Sequence, residues 1–367
     1  MNRRHVLKLG LVAGGTFAVG GLARLGTRPA AAQIGAVPTV DRLVLTNVVD
    51  NIYDVFAKAG RLDTITIQRT PLGPAPLLAE HGLAYHIESH RGSERREILL
   101  DFSLTDINLF NNYKSLGVNP QAADALVLSH GHMDHYGALP VLARVGQGKW
   151  KPGVTVYAGG EDTFCHRVVV TPSGRIDQGR LDLAGLEAQG LRVAIAKQPT
   201  IVAGHAFTSG QIPRLTDFER PPAAARLVAG PADSACSIAH FGVTQVEVKP
   251  GDLVADTFQG EHATAFNVRD RGLVIITSCG HAGVINSVRQ VQTATGITKV
   301  HAVVGGFHLA PAPDEIVAKT VAELKTINPD YVIPAHCTGL NTIFAMHREM
   351  PAKLVMPSTG TRVLFGA

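Results

Sequence analysis

The chain has 367 residues, of which 45% are hydrophobic, 17% charged and 5% aromatic, with 38 glycines and 21 prolines. This composition is typical of a folded, loop-rich globular protein and excludes a disordered, collagen-like or fibrous one. The formal net charge is +4, but residues 1–32 hold five of the 34 basic residues and no acidic one, so the rest of the chain has 29 basic against 30 acidic residues. No Lys/Arg cluster remains there, so no nucleic-acid partner is expected.

Residues 1–32 have the pattern of an export signal. The pair Arg3-Arg4 precedes an uncharged, mostly apolar stretch at 9–22, and Ala30-Ala31-Ala32 offers small residues for cleavage. The paired arginines resemble a twin-arginine signal. We therefore expect the twin-arginine export machinery as a partner, a periplasmic or extracellular location and no stable membrane span after cleavage. A retained amino-terminal anchor is the alternative, but the apolar stretch is short for a span.

Residues 33–367 predict one large α/β domain in which helices flank two β-rich halves. Apolar periodicity and turn signals place strands at 42–49, 64–68, 82–88, 98–101, 125–129, 263–268, 273–277, 300–305 and 331–334, and helices at 106–116, 138–145, 284–295, 314–327 and 339–350. This order predicts a four-layer αββα sandwich.

The segment 159–257 separates the two halves and is rich in Gly, Pro and Ala, with weak periodicity. Such a segment is typical of an inserted cap of loops and short elements, and caps of this kind carry substrate contacts. The four cysteines, Cys165, Cys236, Cys279 and Cys337, are too few for a disulfide scaffold but allow a single bridge.

The strongest chemical signal is His130-Gly131-His132-Met133-Asp134-His135, directly after the apolar strand 125–129. Four metal-ligand side chains fall within six residues. On a tight turn, His130 and His132 can converge on one ion while Asp134 and His135 reach a second, and Gly131 lets the backbone bend without a Cβ clash. Imidazole and carboxylate groups suit zinc best here, with iron or manganese as alternatives.

This motif resembles HxHxDH, the hallmark of the metallo-β-lactamase superfamily, whose further ligands follow later strands. Within the superfamily, the segments 79–83, 126–139, 207–214, 278–283, 305–309 and 336–339 resemble the dihydropterin-methyl-ribofuranosylaminobenzene-phosphate synthase-like proteins. The resemblance implies one or two divalent metal ions held by His130, His132, Asp134, His135, His281 and His336.

The chain departs from the superfamily pattern at two places. The usual Asp-Thr-Gly is Asp101-Phe102-Ser103 here, so Asp101 is expected to support the metal loop while the glycine turn is altered. The bridging aspartate has no counterpart, since Ser278 and Cys279 occupy its region. Occupancy of a second metal site therefore stays open, and Cys279 could ligate, stay free or pair with Cys337.

His262, just before the strand 263–268, is a rival to His281 as a ligand, with His281 favoured. His308 is the candidate for a non-ligand catalytic imidazole, beside Asp134, and Arg214 and Thr338 are candidate substrate contacts. The other histidines of the domain are predicted to be structural: His81, His86, His90, His166, His205, His240, His301 and His347.

These features predict an exported metal-dependent hydrolase that uses metal-activated water on an ester, lactone, amide or phosphoester of a small molecule. The resemblance also implies a pterin-related transferase, but an exported enzyme would not meet cytoplasmic pterin precursors. A non-catalytic metal- or ligand-binding protein is a third alternative, motivated by the missing bridging aspartate.

Overall fold

In a computed structural model of the chain, the described residues are 33–73, 75–231, 234, 236–237 and 248–366. The predicted export signal and His240 lie outside them. No helix among the described residues is both long enough and apolar enough to cross a membrane.

The described residues form twenty strands, several of them at the predicted positions. In chain order they are β1 (Thr39–Val40), β2 (Arg42–Val49), β3 (Gly60–Leu62), β4 (Ile65–Arg69), β5 (Ala84–Arg91), β6 (Glu94–Leu100), β7 (Ala125–Leu128), β8 (Thr155–Ala158), β9 (Arg167–Thr171), β10 (Gly174–Gly179), β11 (Arg192–Ile195), β12 (Thr200–Val202), β13 (Ala206–Thr208), β14 (Ala225–Val228), β15 (Leu253–Ala255), β16 (Thr264–Val268), β17 (Gly272–Ile276), β18 (Val300–Gly305), β19 (Tyr331–Pro334) and β20 (Thr361–Phe365).

Seven α-helices accompany these strands: α1 (Asp106–Leu116), α2 (Met133–Tyr136), α3 (Leu139–Gly146), α4 (Leu183–Ala188), α5 (Val284–Thr295), α6 (Asp314–Ile327) and α7 (Leu340–Glu349), all within the described residues. Helix α1 has clear capping residues at both ends, which is why the sequence predicted its bounds. Thr105 caps its start by accepting a hydrogen bond from the Asn108 amide, and Gly117 ends it in the left-handed conformation at φ +68°. The predicted helix at 106–116 is thereby confirmed.

Two main sheets pack face to face. The larger has nine strands in the order β11-β8-β7-β6-β5-β2-β20-β4-β3, and the smaller has β12-β13-β16-β17-β18-β19 with β1 paired to β16. Apolar side chains from both sheets, including Leu45, Val127, Phe266 and Val304, form the core between them.

Helices cover the outer faces of both sheets. Side chains of α1, α3 and α4 pack with the nine-stranded sheet in one apolar cluster, and those of α5, α6 and α7 pack with the other sheet in a second cluster. The predicted four-layer αββα sandwich is confirmed. Because β7, β17 and β19 have a layer on each side, all their residues except Gly272 are buried.

The segment 159–257 is not a single insertion. Its strand β11 extends the nine-stranded sheet beside β8, and β12 and β13 complete the edge of the other main sheet. Only β9, β10, β14 and β15 form a separate four-stranded sheet. A disulfide joins Cys165, just before β9, to Cys236, and these residues pack around Leu227 and Val254. The cap expected over the whole segment is thus limited to this small sheet and its loops.

Candidate metal centre

The candidate ligands lie where strands of both main sheets end. His130, His132, Asp134 and His135 follow β7, His281 follows β17 and His336 follows β19. Because β17, β18 and β19 are parallel, their carboxyl ends share one sheet edge. Residues separated by up to 206 positions in the chain, from His130 to His336, therefore meet at one place.

The first group consists of His130, His132 and His281. One ring nitrogen from each can be chosen so that all three lie within 4.8 Å of one another. The ring centroids are 4.7–4.8 Å apart. The Phe258 ring stacks on the His281 ring with 4.1 Å between the centroids, which restricts the orientation of the imidazole.

The second group consists of Asp134, His135 and His336. Asp134 Oδ2 lies 3.2 Å from His336 Nε2 and 3.7 Å from His135 Nε2. The His130 and His135 rings, one from each group, are 4.2 Å apart between centroids. The six residues that the resemblance implied are therefore all brought together by the fold.

Asp101 orients two of the histidines from behind. Its carboxylate, which can only accept, lies 2.7 Å from His135 Nδ1 and accepts a hydrogen bond from Ser129 Oγ at 2.8 Å. Ser129 Oγ in turn accepts from His130 Nδ1 at 3.0 Å. These contacts place the proton of each ring on Nδ1 and leave both Nε2 atoms free to bind a metal.

The loop that carries the HxHxDH motif needs Gly131 and a buried arginine. A Cβ on Gly131 would lie 2.1 Å from the Thr163 carbonyl oxygen and 2.3 Å from Arg167 Nη1. Arg167 is 1% exposed and lies 2.7 Å from Asp256 and 3.3 Å from Asp162 through its guanidinium nitrogens. Gly131 is thus required because Thr163 and Arg167 lie too close to allow a side chain there. Arg167, in strand β9 of the small sheet, stabilises the loop.

Other residues that hold the ligands were not predicted from the sequence. Asp50 accepts a hydrogen bond from the His336 amide at 2.8 Å, and Asn51 Oδ1 lies 3.1 Å from His336 Nδ1. Glu261 accepts from the His281 amide at 2.9 Å and also from the Ala282 amide. Burial raises the pKa of Glu261 to about 7, against the lowering effect of these amide hydrogen bonds.

Several residues at the strand ends have left-handed backbone conformations that are unusual for non-glycine residues. The φ angles are +59° at Asp101, +58° at Ser278, +47° at His308 and +50° at His336. Each such residue costs about 1–3 kcal/mol and persists when the surrounding structure imposes it, most often at functional sites.

The chemistry of these side chains fits divalent metal ions. The Nε2 atoms of His130 and His135 and both ring nitrogens of His281 are buried without a hydrogen-bond partner. Burial lowers the pKa of His132 to about 4, and it lowers the pKa values of His130 and His281 well below the usual range. These imidazoles are therefore neutral at pH 7, which is the form that binds metal.

The second group contains charged side chains, whereas the imidazoles of the first group are neutral. Burial opposes ionisation of Asp134, but the neighbouring histidines, His135 first, hold the pKa of its carboxyl well below its usual range. Burial alone would lower the pKa of His135, but the carboxylates of Asp134 and Asp101 outweigh it and raise the value to about 9. A cation in this group would thus replace the His135 proton as the partner of Asp134.

Cys279 lies between the two groups. Its sulfur is within 4.8 Å of ring nitrogens of both His130 and His135. Cys279 and Cys337 are free thiols with 3.1 Å between their sulfur atoms. Of the alternatives left open for Cys279, a Cys337 disulfide is absent here, and the sulfur occupies a position from which it could ligate.

His262 and His308 have different surroundings. His262 is buried with Nε2 2.8 Å from the Leu128 carbonyl oxygen, and it belongs to none of the candidate ligand clusters among the described residues. The structure therefore brings His281, and not His262, to the site. The His308 ring lies 4.1 Å from the His281 ring between centroids, and its Nδ1 is 3.6 Å from Cys279 Sγ.

The two residues that were expected to contact substrate, Arg214 and Thr338, donate their hydrogen bonds to the backbone instead. Arg214 donates to the carbonyl oxygens of His281 at 3.1 Å and Thr257 at 2.9 Å. Thr338 is fully buried, and its hydroxyl donates to the Ala335 carbonyl oxygen at 2.7 Å. Neither lines the cavity in front of the candidate ligands. Because their polar atoms are used by the backbone, both residues position the ligand loops, and the substrate-contact prediction is corrected.

His81, predicted to be structural, lies on the cavity wall instead. Its Nε2 is 3.4 Å from Asp134 Oδ2, its ring stacks on His336 at 4.9 Å, and its side chain is 67% exposed. The sequence offered no signal for this position, because His81 precedes β5 and is far in the chain from every candidate ligand.

Comparisons with known proteins agree with this geometry. The sequence profile described as the Metallo-beta-lactamase superfamily matches residues 90–220, which include the whole HxHxDH motif. This segment of the chain is thus similar to the metallo-β-lactamase superfamily. Its fold is similar to the crystal structure of Tm1679, a metal-dependent hydrolase of the β-lactamase superfamily, with a TM-score of 0.62 and 19% identity over 87% of this chain and 98% of that one.

Two sequence relatives come from Methanocaldococcus jannaschii. The first, 7,8-dihydropterin-6-methyl-4-(beta-D-ribofuranosyl)-aminobenzene-5'-phosphate synthase, is 27% identical over 270 residues, covering 72% of this chain and 83% of the relative. The second is an uncharacterised protein, 24% identical over 267 residues, covering 72% of this chain and 86% of the relative. The metallo-β-lactamase fold implies divalent metal binding, and the superfamily is usually hydrolytic.

Proposed function

We propose that this metallo-β-lactamase superfamily protein is an exported metal-dependent hydrolase of a small molecule. One ion would be held by His130, His132 and His281. A second would be held by Asp134, His135 and His336. The observation that carries the proposal is the convergence of buried imidazole nitrogens that have no hydrogen-bond partner of their own.

Different residues of the chain would have different roles in hydrolysis. When bound, such ions, zinc above all and iron or manganese as alternatives, supply Lewis-acid activation of water and of a carbonyl or phosphoryl oxygen. Asp134 contributes the negative charge within the ligand set. His308 lines the cavity beside His281, so it can donate a proton to a leaving group seated there.

Cys279 is a further candidate ligand. Its sulfur lies near ring nitrogens of both groups, in the region where the superfamily has a bridging aspartate. A thiolate suits zinc as well as imidazole does, so Cys279 could supply the negative charge that the missing carboxylate would have given.

Two observations support export. The Arg3-Arg4 leader resembles a twin-arginine signal, and the twin-arginine machinery carries proteins that are already folded, which suits a metal loaded before transport. The Cys165–Cys236 disulfide is of a kind that persists in oxidising compartments.

The competing proposal is the synthase activity that gives one relative its name. A transferase of pterin precursors would be needed in the cytoplasm, so the leader favours the hydrolase. A non-catalytic metal-binding protein is the other alternative, and it differs from the hydrolase in binding metal without turnover.

The test is elemental analysis of the purified full-length protein, followed by turnover of ester, lactone, amide and phosphoester substrates. His132→Ala should lose metal, and its turnover should fall more than about 100-fold, because second-layer changes alone cost about 10–100-fold. The control substitution His347→Ala replaces an exposed histidine of α7 and should change neither the metal content nor the turnover. Metal binding without turnover would favour the non-catalytic protein, and full activity after metal removal would refute the hydrolase.

A further inference from the structure

The cavity in front of the candidate ligands is lined by two chemical kinds of side chain. It has a volume of about 790 Å³. One kind consists of imidazoles, Asp134 and the two thiols. The apolar side chains of the lining, called the apolar wall below, are those of Ile52, Leu104, Met133, Val169, Ala310, Pro311, Leu340 and Ile343.

The apolar wall is open to solvent without a ligand. Leu340 is 60% exposed and Ile52 is 45% exposed. Large apolar side chains that gather around a cavity mark a surface that binds an apolar partner or ligand. Covering them removes apolar surface from water, which strengthens binding about fourfold for each methylene group of the ligand (~0.8 kcal/mol).

The described lining of the cavity lacks the two basic side chains that are charged at every physiological pH. No lysine or arginine is among the described residues that line the cavity, and the sequence has none at the undescribed positions after residue 32. The nearby Arg214 donates to backbone carbonyl oxygens, and Arg167 is paired with Asp162 and Asp256. An anionic group held away from the metal ions would thus lose water and gain no lysine or arginine as a counter-ion.

We propose that the substrate is an uncharged carboxylic ester or lactone whose aliphatic or aromatic body lies against the apolar wall of Ile52, Leu104, Leu340 and Ile343. This inference rests on the proposed function, since it places the scissile carbonyl group at the candidate ligands. In the reaction, the water oxygen forms a bond to the carbonyl carbon, the bond to the leaving oxygen breaks, and a water proton passes to that oxygen. An ester yields a carboxylic acid and an alcohol, and a lactone yields a single hydroxy acid.

The proposal separates this chain from its relative named as a 5'-phosphate synthase. A phosphate at the far end of a ribosyl substrate would face the apolar wall rather than the ligands. The same leaving group on esters of increasing chain length, and on phosphoesters, therefore tests the inference directly.

The experiment measures kcat/KM of the zinc-loaded full-length protein with 4-nitrophenyl acetate, butyrate and hexanoate, and with 4-nitrophenyl phosphate and bis(4-nitrophenyl) phosphate. We expect kcat/KM to rise about fourfold per methylene from acetate to hexanoate. We expect both phosphoesters to be turned over at least about tenfold less efficiently than the hexanoate, because neither has an aliphatic chain that could cover the apolar wall.

A matched pair of variants on one helix locates the effect. Leu340→Asn should lower kcat/KM for the hexanoate about tenfold and for the acetate less than about twofold, because only the longer chain reaches the removed side chain. Phe344→Asn changes an equally exposed apolar residue of α7 that does not line the cavity. It should leave both values unchanged.

The outcomes distinguish this inference from the proposed function. Preferred turnover of a phosphoester, no increase with chain length, or equal effects of the two variants would overturn the inference and leave a metal-dependent hydrolase standing. No turnover of any of the five substrates or of the ester, lactone, amide and phosphoester panel would overturn the proposed function, and the inference with it.

Discussion

Replacing Asp101 by asparagine tests whether the ligand histidines are oriented from behind. The change keeps the shape of a fully buried side chain and keeps one oxygen that can accept from the Ser129 amide, now at 2.9 Å. It puts an amide donor where the carboxylate accepted from His135 Nδ1. His135 must then accept at Nδ1 and carry its proton on Nε2, the nitrogen that faces the second metal group.

The size of the effect follows from the loss of the metal-binding tautomer. Changes in partners behind metal ligands cost about 10–100-fold in metal affinity, which corresponds to about 1.4–2.7 kcal/mol. Asp101 touches both Ser129 and His135, and through Ser129 it also orients His130. We therefore expect about 30-fold weaker binding, with the variant still folded.

The assay is competition for zinc against a chromogenic chelator at fixed pH, with elemental analysis of the number of ions bound. Glu97→Gln is the matched control, because it makes the same chemical change in the His86–Glu97 pair, where the two side chains are 2.8 Å apart and belong to no candidate ligand cluster. Wild-type affinity in Asp101→Asn, or an equal loss in Glu97→Gln, would refute the reasoning.

Three further predictions follow from other parts of the site. Arg167→Met should lower the free energy of unfolding by about 3–5 kcal/mol in denaturant titrations, because it leaves buried carboxylates unpaired; the exposed Arg175→Met should change it by less than about 0.5 kcal/mol. In cobalt-loaded protein, Cys279→Ser should remove thiolate-to-metal charge-transfer absorption that Cys337→Ser retains, and the reverse pattern would exclude Cys279 as the ligand. The pKa of His135, raised to about 9, contributes stability to the metal-free protein that is complete below pH 6.5 and lost as the pH rises through 9. Its free energy of unfolding should therefore fall by about 3 kcal/mol across that range, and a flat profile would contradict this.

Much of the fold could be predicted where the signal is local. The helices 106–116, 284–295 and 314–327 have the predicted bounds, because caps and apolar periodicity act within a few residues of the chain. Strand β20 was not predicted, although it lies between β2 and β4 in the nine-stranded sheet. It is a five-residue run near the chain end, and its strand character depends on distant partners.

In the candidate site, too, local features could be predicted from the sequence and long-range contacts could not. The HxHxDH motif could be predicted because four ligand types are contiguous in sequence. Asp50, Asn51 and Glu261 could not, because each acts on a ligand far away in the chain and no residue pattern marks the contact. Arg214 was misassigned for a related reason, since a sequence does not tell whether a guanidinium faces a cavity or donates to backbone carbonyl oxygens.

The most direct test of the central claim is a crystal structure of the zinc-loaded full-length protein with anomalous data collected at the zinc absorption edge. We predict anomalous peaks about 2.0–2.2 Å from ring nitrogens of His130, His132 and His281, and from Asp134, His135 and His336 for a second ion. Zinc bound elsewhere in the protein, with no peak among these six side chains, would contradict the account.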